Sequence, residues 1–125
     1  KIPFEDNLFD VVICNHVLEH VDDSQKVMTE FFRVMKPGGW GIFQVPIDNN
    51  NPKTIEDKAV TDPKEREKLY WQSDHLRLFG RDYGDRLSAA GFKVTESDFI
   101  NEIDPKLVER YALPKDELVY YCEKI

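Results

Sequence analysis

The first sustained apolar stretch, Phe9-Asp10-Val11-Val12-Ile13-Cys14, gives way at Asn15 to a polar run in which His16, Glu19 and His20 flank Val17 and Leu18. It is too short for a helix and rich in β-branched residues. The pattern predicts a strand over residues 9–15, buried on both faces as in the middle of a parallel sheet. Upstream, Pro3 and Asp6-Asn7 supply turn chemistry. Downstream, Asp22-Asp23-Ser24 offers N-caps, and Val27, Met28, Phe31, Phe32 and Met35 recur at helical spacing. Lys36-Pro37-Gly38-Gly39 should stop that helix, with lysine suited to a helix carboxyl end and glycine to a left-handed turn. A second apolar run over residues 40–46 predicts another strand. Strand, helix and strand in this order form a βαβ unit, which is almost always right-handed.

Periodicity then fades. Residues 47–79 are polar and irregular, broken by Asn49-Asn50-Asn51-Pro52, and read as an insert outside the core. Within it, Asp62-Pro63-Lys64-Glu65 has a capping-box pattern and predicts a short charged helix over residues 63–71. Order resumes at residues 81–90, where Tyr83, Leu87 and Ala90 share a face and Gly91 follows. A strand is predicted over residues 92–99. A short helix should start at Asp104-Pro105 and end before Pro114, and a β-prone run over residues 117–123 follows. The order β-α-β-loop-α-β-α-β is that of an α/β domain.

Composition narrows the function classes. The 125 residues are about one domain, 41% hydrophobic and 33% charged. No apolar stretch approaches the roughly 20 residues that cross a bilayer, and no signal-peptide pattern opens the chain. Cys14 and Cys122 both lie in strand-like runs, so buried reduced thiols in a cytoplasmic protein are expected. The net charge is −7, from 17 basic and 24 acidic residues, and residues 64–68 alternate in sign. Nucleic-acid binding, which rests on clustered lysine and arginine, is disfavoured. In open α/β sheets ligands sit beyond the carboxyl ends of the strands, where Asn15, His16 and their neighbours stand.

The motifs Phe9-Asp10-Val11-Val12, Leu18-Glu19-His20-Val21 and Arg33-Val34-Met35-Lys36-Pro37-Gly38-Gly39 together resemble the middle of class I S-adenosylmethionine-dependent methyltransferases. There they form strand four, its loop, and the next helix with its end. Leu87-Ser88-Ala89-Ala90-Gly91-Phe92-Lys93-Val94 resembles the following helix and strand six, and residues 118–123 resemble strand seven. The resemblance implies a partial Rossmann-like sheet of strands four to seven with the last antiparallel, residues 1–125 forming one partial domain. The family's glycine-rich loop after strand one and its acidic residue after strand two have no counterpart here. Gly38-Gly39 follows a helix rather than preceding one and cannot serve as that turn. The expectation is therefore a fragment, inactive alone, whose binding of S-adenosylmethionine is weak or absent. The edge of strand 9–15 that faces strand one in the family would be open, so a homodimer or another covering is expected.

Carried over, Asn15, His16 and Val17 stand beneath the methionine part of the cofactor, with His20 facing the same cleft or else capping or orienting the next helix. Glu19, Gln44, His75 and Arg77 are candidates for contact with a small-molecule acceptor. Arg77 could hold a carboxylate or phosphate with its planar fork, or form a surface ion pair with Asp74 or Asp82. Methyl transfer leans on positioning, so no catalytic base is assigned. Two other readings stand beside this one. A non-catalytic dimerisation module of the same fold would bind no cofactor. His16-Val17-Leu18-Glu19-His20 also matches the H-x-x-E-H pattern of zinc metalloproteases, with Glu96 or Glu102 as a third ligand, but it follows a strand directly and no metal ligand is assigned.

Overall fold

Short-range signals and the chain's real elements coincide at most boundaries in the computed structural model, which describes residues 1–125. The elements run β1 (Phe9–Asn15), α1 (Ser24–Val34), β2 (Met35–Gln44), α2 (Pro63–Tyr70), α3 (Tyr83–Ala89), β3 (Lys93–Ser97), a 3-10 turn (Phe99–Glu102), α4 (Pro105–Arg110) and β4 (Val119–Glu123). Asp23 caps α1 by accepting from the Lys26 amide, and Asp62 caps α2 by accepting from the Lys64 and Glu65 amides. Each satisfies donors that a helix start leaves without intrahelical partners.

The sheet has the order β1-β2-β4-β3. β1 and β2 are parallel, while the last strand slots between β2 and β3 antiparallel to both. This is the α/β, Rossmann-like arrangement expected from the sequence. Phe9 and Val11 face Met35 and Trp40, so residues 36–39 bulge out of the ladder. Gly38 turns that bulge at φ +80°, a backbone setting that side chains other than glycine resist. The helix ends one step earlier than expected. Met35 is already extended, and Lys36 pairs with Asp10 at 2.9 Å rather than sitting on the helix end.

Met28 and Phe31 of α1 and Tyr83 and Leu87 of α3 pack with Cys14, Phe43, Phe92, Tyr120 and Cys122 of the sheet region into the core. Both thiols are free and buried. Burial pushes the Cys14 thiol up to about 11, with Glu19 adding to it, and Cys122 up to about 12.

Two expectations are corrected. β1 is not buried on both faces: Val12 and Cys14 turn inward, whereas Val11 is 40% and Ile13 61% exposed. It is an edge strand, paired only with β2. Nor is segment 47–79 wholly outside the core. Tyr70, His75, Arg77, Leu78 and Phe79 are all buried, and Phe79 belongs to the main core cluster. Isolated bridges Ile47–Phe79 and Ile55–Leu78 tie the segment's ends to each other.

Candidate functional site

Parallel strands β1 and β2 end side by side at Asn15 and Gln44. An antiparallel neighbour begins where they end, so the segment leading into β4 arrives at the same rim. Gln44 stitches that rim together. Its Nε2 donates to the Leu118 carbonyl at 2.9 Å, and its Oε1 accepts from the Tyr120 amide at 2.8 Å. With both ends of the amide used, Gln44 holds the cleft's wall in shape rather than offering a free group to an acceptor.

Beyond the rim the chain turns sharply. His16 adopts φ +54°, and its amide donates to the Gln44 carbonyl at 2.8 Å. A cleft of about 580 Å³ opens there, lined by His16, Val45, Ile47, Asn49, Trp71 and the 114–118 segment with Tyr120. An adjoining hollow of about 410 Å³ brings Asn15, His16, Ile42 and Gln44 against Phe99 and Ile103. Asn15 and His16 thus stand at the carboxyl end of β1 and line these hollows. Val17 is 42% exposed beside them, and its carbonyl accepts from the His20 amide.

No motif in the sequence marks the wall formed by residues 114–118, Asn49 and Trp71. The signal that could have found it is topological. Once residues 117–123 are read as an antiparallel strand next to β2, its leading segment must reach the ligand rim. Trp71 carries a further mark, since it closes α2 in the left-handed region at φ +74°.

The remaining candidates gather elsewhere. His20 does not line the cleft. Its ring meets that of His75 edge-on at 4.8 Å between centroids, and its Nε2 lies 3.7 Å from Glu19 Oε1. His75 is buried, with Nδ1 2.7 Å from the Tyr70 carbonyl. Glu19 is only 2% exposed, and its Oε2 has no hydrogen-bond partner. Nor does His20 cap α1, which Asp23 does.

Arg77 forms no surface pair with Asp74 or Asp82. It is buried, donates Nη1 to the Leu18 and Val21 carbonyls and Nη2 to the Asp22 carbonyl, and pairs through Nε with Glu56 at 2.6 Å. Burial alone would raise the Glu56 carboxyl. The Arg77 hydrogen bond and charge, helped by Arg86, hold it below its ordinary range. The guanidinium fork is thus spent on the loop after β1. The H-x-x-E-H pattern likewise fails as a metalloprotease site, because residues 16–20 form a turn instead of a helix.

Comparison with known proteins fits this geometry. The methyltransferase domain family matches residues 1–43. A stretch of 39 residues is 49% identical to the ubiquinone/menaquinone biosynthesis C-methyltransferase UbiE of Desulfotalea psychrophila, covering 31% of this chain and 16% of that protein. Across a 130-position alignment the chain is 31% identical to the sterol 24-C-methyltransferase erg6 of Schizosaccharomyces pombe, covering 99% of this chain and 32% of that protein. Among solved structures, an S-adenosylmethionine dependent methyltransferase from Mesorhizobium loti superposes with a TM-score of 0.57 at 18% identity, covering 98% of this chain and 65% of that one. The fold is that of this neighbour, and the matches make the chain similar to class I methyltransferase domains. More narrowly, the match to the methyltransferase domain family is confined to residues 1–43, and the chain spans less than a third of the length of either curated relative.

Proposed function

We propose that this chain forms the acceptor side of an S-adenosylmethionine-dependent methyltransferase, acting on a small molecule. The observation that carries the reading is the cleft at the carboxyl ends of β1 and β2, reached by the sharp turn at His16. The residues there fit such a cofactor. Asn15 and His16 offer polar groups at the strand ends, and Val17 is an exposed apolar neighbour. When bound, the cofactor supplies a methyl carbon already activated by sulfonium. The chain's own task is to hold the acceptor in line and keep water away, a positioning role that needs no dedicated base.

Asn15, His16 and Val17 are assigned to the amino-acid end of the cofactor. Val45, Ile47, Asn49 and Trp71 are assigned to the acceptor. A lining of aliphatic and aromatic groups with a few polar ones suits a small organic molecule. The relatives named for ubiquinone/menaquinone biosynthesis and for sterol methylation support that class. His20, Glu19, Gln44, His75 and Arg77 are instead assigned to holding the rim and the segment behind it. Reduced buried thiols favour action in the cytoplasm.

Calorimetric titration of S-adenosylmethionine tests the reading in two proteins: the 125-residue chain, and a longer polypeptide carrying a glycine-rich loop ahead of β1. Weak or absent heat is expected in the first and saturable binding in the second. The double variant Asn15→Ala, His16→Ala should weaken the latter about tenfold or more, the loss of one or two hydrogen bonds. Absence of binding in the longer protein would leave the fold as a non-catalytic module.

A further inference from the structure

Glu19, His20 and His75 each present one ligand-competent atom within 4.8 Å of the other two. We propose that these three side chains form a binding site for a divalent transition cation of the zinc type. The site does not depend on the methyl-transfer reading.

The first reason is the state of Glu19. Its carboxylate is 2% exposed, Oε2 has no partner, and Oε1 reaches only His16 Nδ1 at 3.6 Å and His20 Nε2 at 3.7 Å. Those separations exceed the range of a good charge-assisted hydrogen bond. A carboxylate out of water without such bonds is costly, and a cation between it and the imidazoles removes the cost.

The second reason is the orientation of the rings. Metal-binding histidines usually give the N–H of their outer nitrogen to a carbonyl or carboxylate, which fixes the tautomer and frees the other nitrogen as a ligand. His75 Nδ1 sits 2.7 Å from the Tyr70 carbonyl, which requires the N–H there and leaves the lone pair on Nε2. His20 Nδ1 faces Asp74, 3.3 Å from its carbonyl and 3.4 Å from Oδ2, while Nε2 faces Glu19. Both rings therefore hold their outer nitrogens on oxygen acceptors.

The third reason is the backbone that carries the set. The Leu76 amide donates to the Glu19 carbonyl at 2.8 Å, so the turn after β1 and the 70–77 segment are locked beside each other before any ion arrives. Ligands on zinc at about 2.0–2.2 Å lie roughly 3.3 Å from one another. The His20 side chain, 33% exposed where Glu19 and His75 are each 2%, is the freest of the three to move toward such a triangle. Two imidazoles and one carboxylate suit zinc and its neighbours rather than calcium or magnesium. They leave a fourth position open. Glu19 then acts as a ligand and is unavailable as a base, so the site is unlike that of a peptidase.

The test uses chelator-stripped protein titrated with Co²⁺ and then Zn²⁺. Expected are one equivalent of Co²⁺ with visible d–d absorption, its displacement by Zn²⁺, and a higher melting temperature with either ion. His20→Ala, at a partly exposed position, should weaken Co²⁺ binding by about ten- to a hundredfold or more with unchanged circular dichroism. Glu19→Gln should do the same, while Glu65→Gln on α2 should not. His75→Ala also removes a buried ring, so the His20 variant is the decisive one. No saturable Co²⁺ signal, or binding that survives both His20→Ala and Glu19→Gln, would overturn the proposal.

Discussion

Arg77 illustrates how a single side chain decides the shape of the loop after β1. It bonds to three carbonyls of that loop, from Leu18, Val21 and Asp22, and its charge is met by Glu56. Removing it leaves those carbonyls without their donor and leaves the half-buried Glu56 carboxylate with Arg86 alone, at 3.4 Å. Arg77→Met should therefore cost about 3 kcal/mol or more, read as a lowered urea midpoint at constant slope. Arg77→Lys should recover only part, because an ammonium cannot present the planar fork that reaches all four oxygens. A loss under about 1 kcal/mol for Arg77→Met would mean that water replaces the guanidinium there. The sequence around it, Asp74-His75-Leu76-Arg77, reads as a polar surface loop. Its burial was not legible because every partner of Arg77 is distant in the chain, at positions 18 to 22 and 56.

At the scale of elements, caps and breakers were readable because they act over three or four residues. Asp23, Asp62 and Asp104 all accept from amides of the helices they precede, as their place before each run predicts. The cover of β1 was not readable, since a β-branched run reports only that a strand forms. Two glycines of β2 separate local from tertiary demands. Gly38 sits at φ +80° with nothing within 4 Å of an added Cβ, so Gly38→Ala should lose only the backbone preference, about 1 kcal/mol. At Gly41 the same Cβ would meet the Val12 carbonyl at 2.6 Å and the Phe43 ring at 2.7 Å. Both neighbours are fixed, one by the β1 ladder and one by the core. Gly41→Ala should cost more than Gly38→Ala, about 2 kcal/mol or above, with part of β1 losing amide protection in hydrogen exchange. Equal losses would show that β1 yields readily.

For the molecule as a whole, the open side of β1 is an unpaired edge of the sheet. The strand pairs only with β2, and its outward row carries Val11 and Ile13. An apolar strand with free amides and carbonyls is a template for a second chain. The net charge of −7 opposes that approach, but charge repulsion is screened beyond about 8 Å at physiological ionic strength. Pairing through β1 therefore should strengthen as salt rises, whereas association through ion pairs should weaken. Sedimentation velocity of the 125-residue chain is expected to show reversible, concentration-dependent self-association that grows between low and moderate salt. Ile13→Lys puts a charge in the outward row and should shift the population to monomer without altering circular dichroism. Its side chain is 61% exposed, so no core contact of consequence is lost. A chain that stays monomeric at every concentration and salt level would show that the 9–15 edge is not sticky, and that its exposed valine and isoleucine face solvent without penalty.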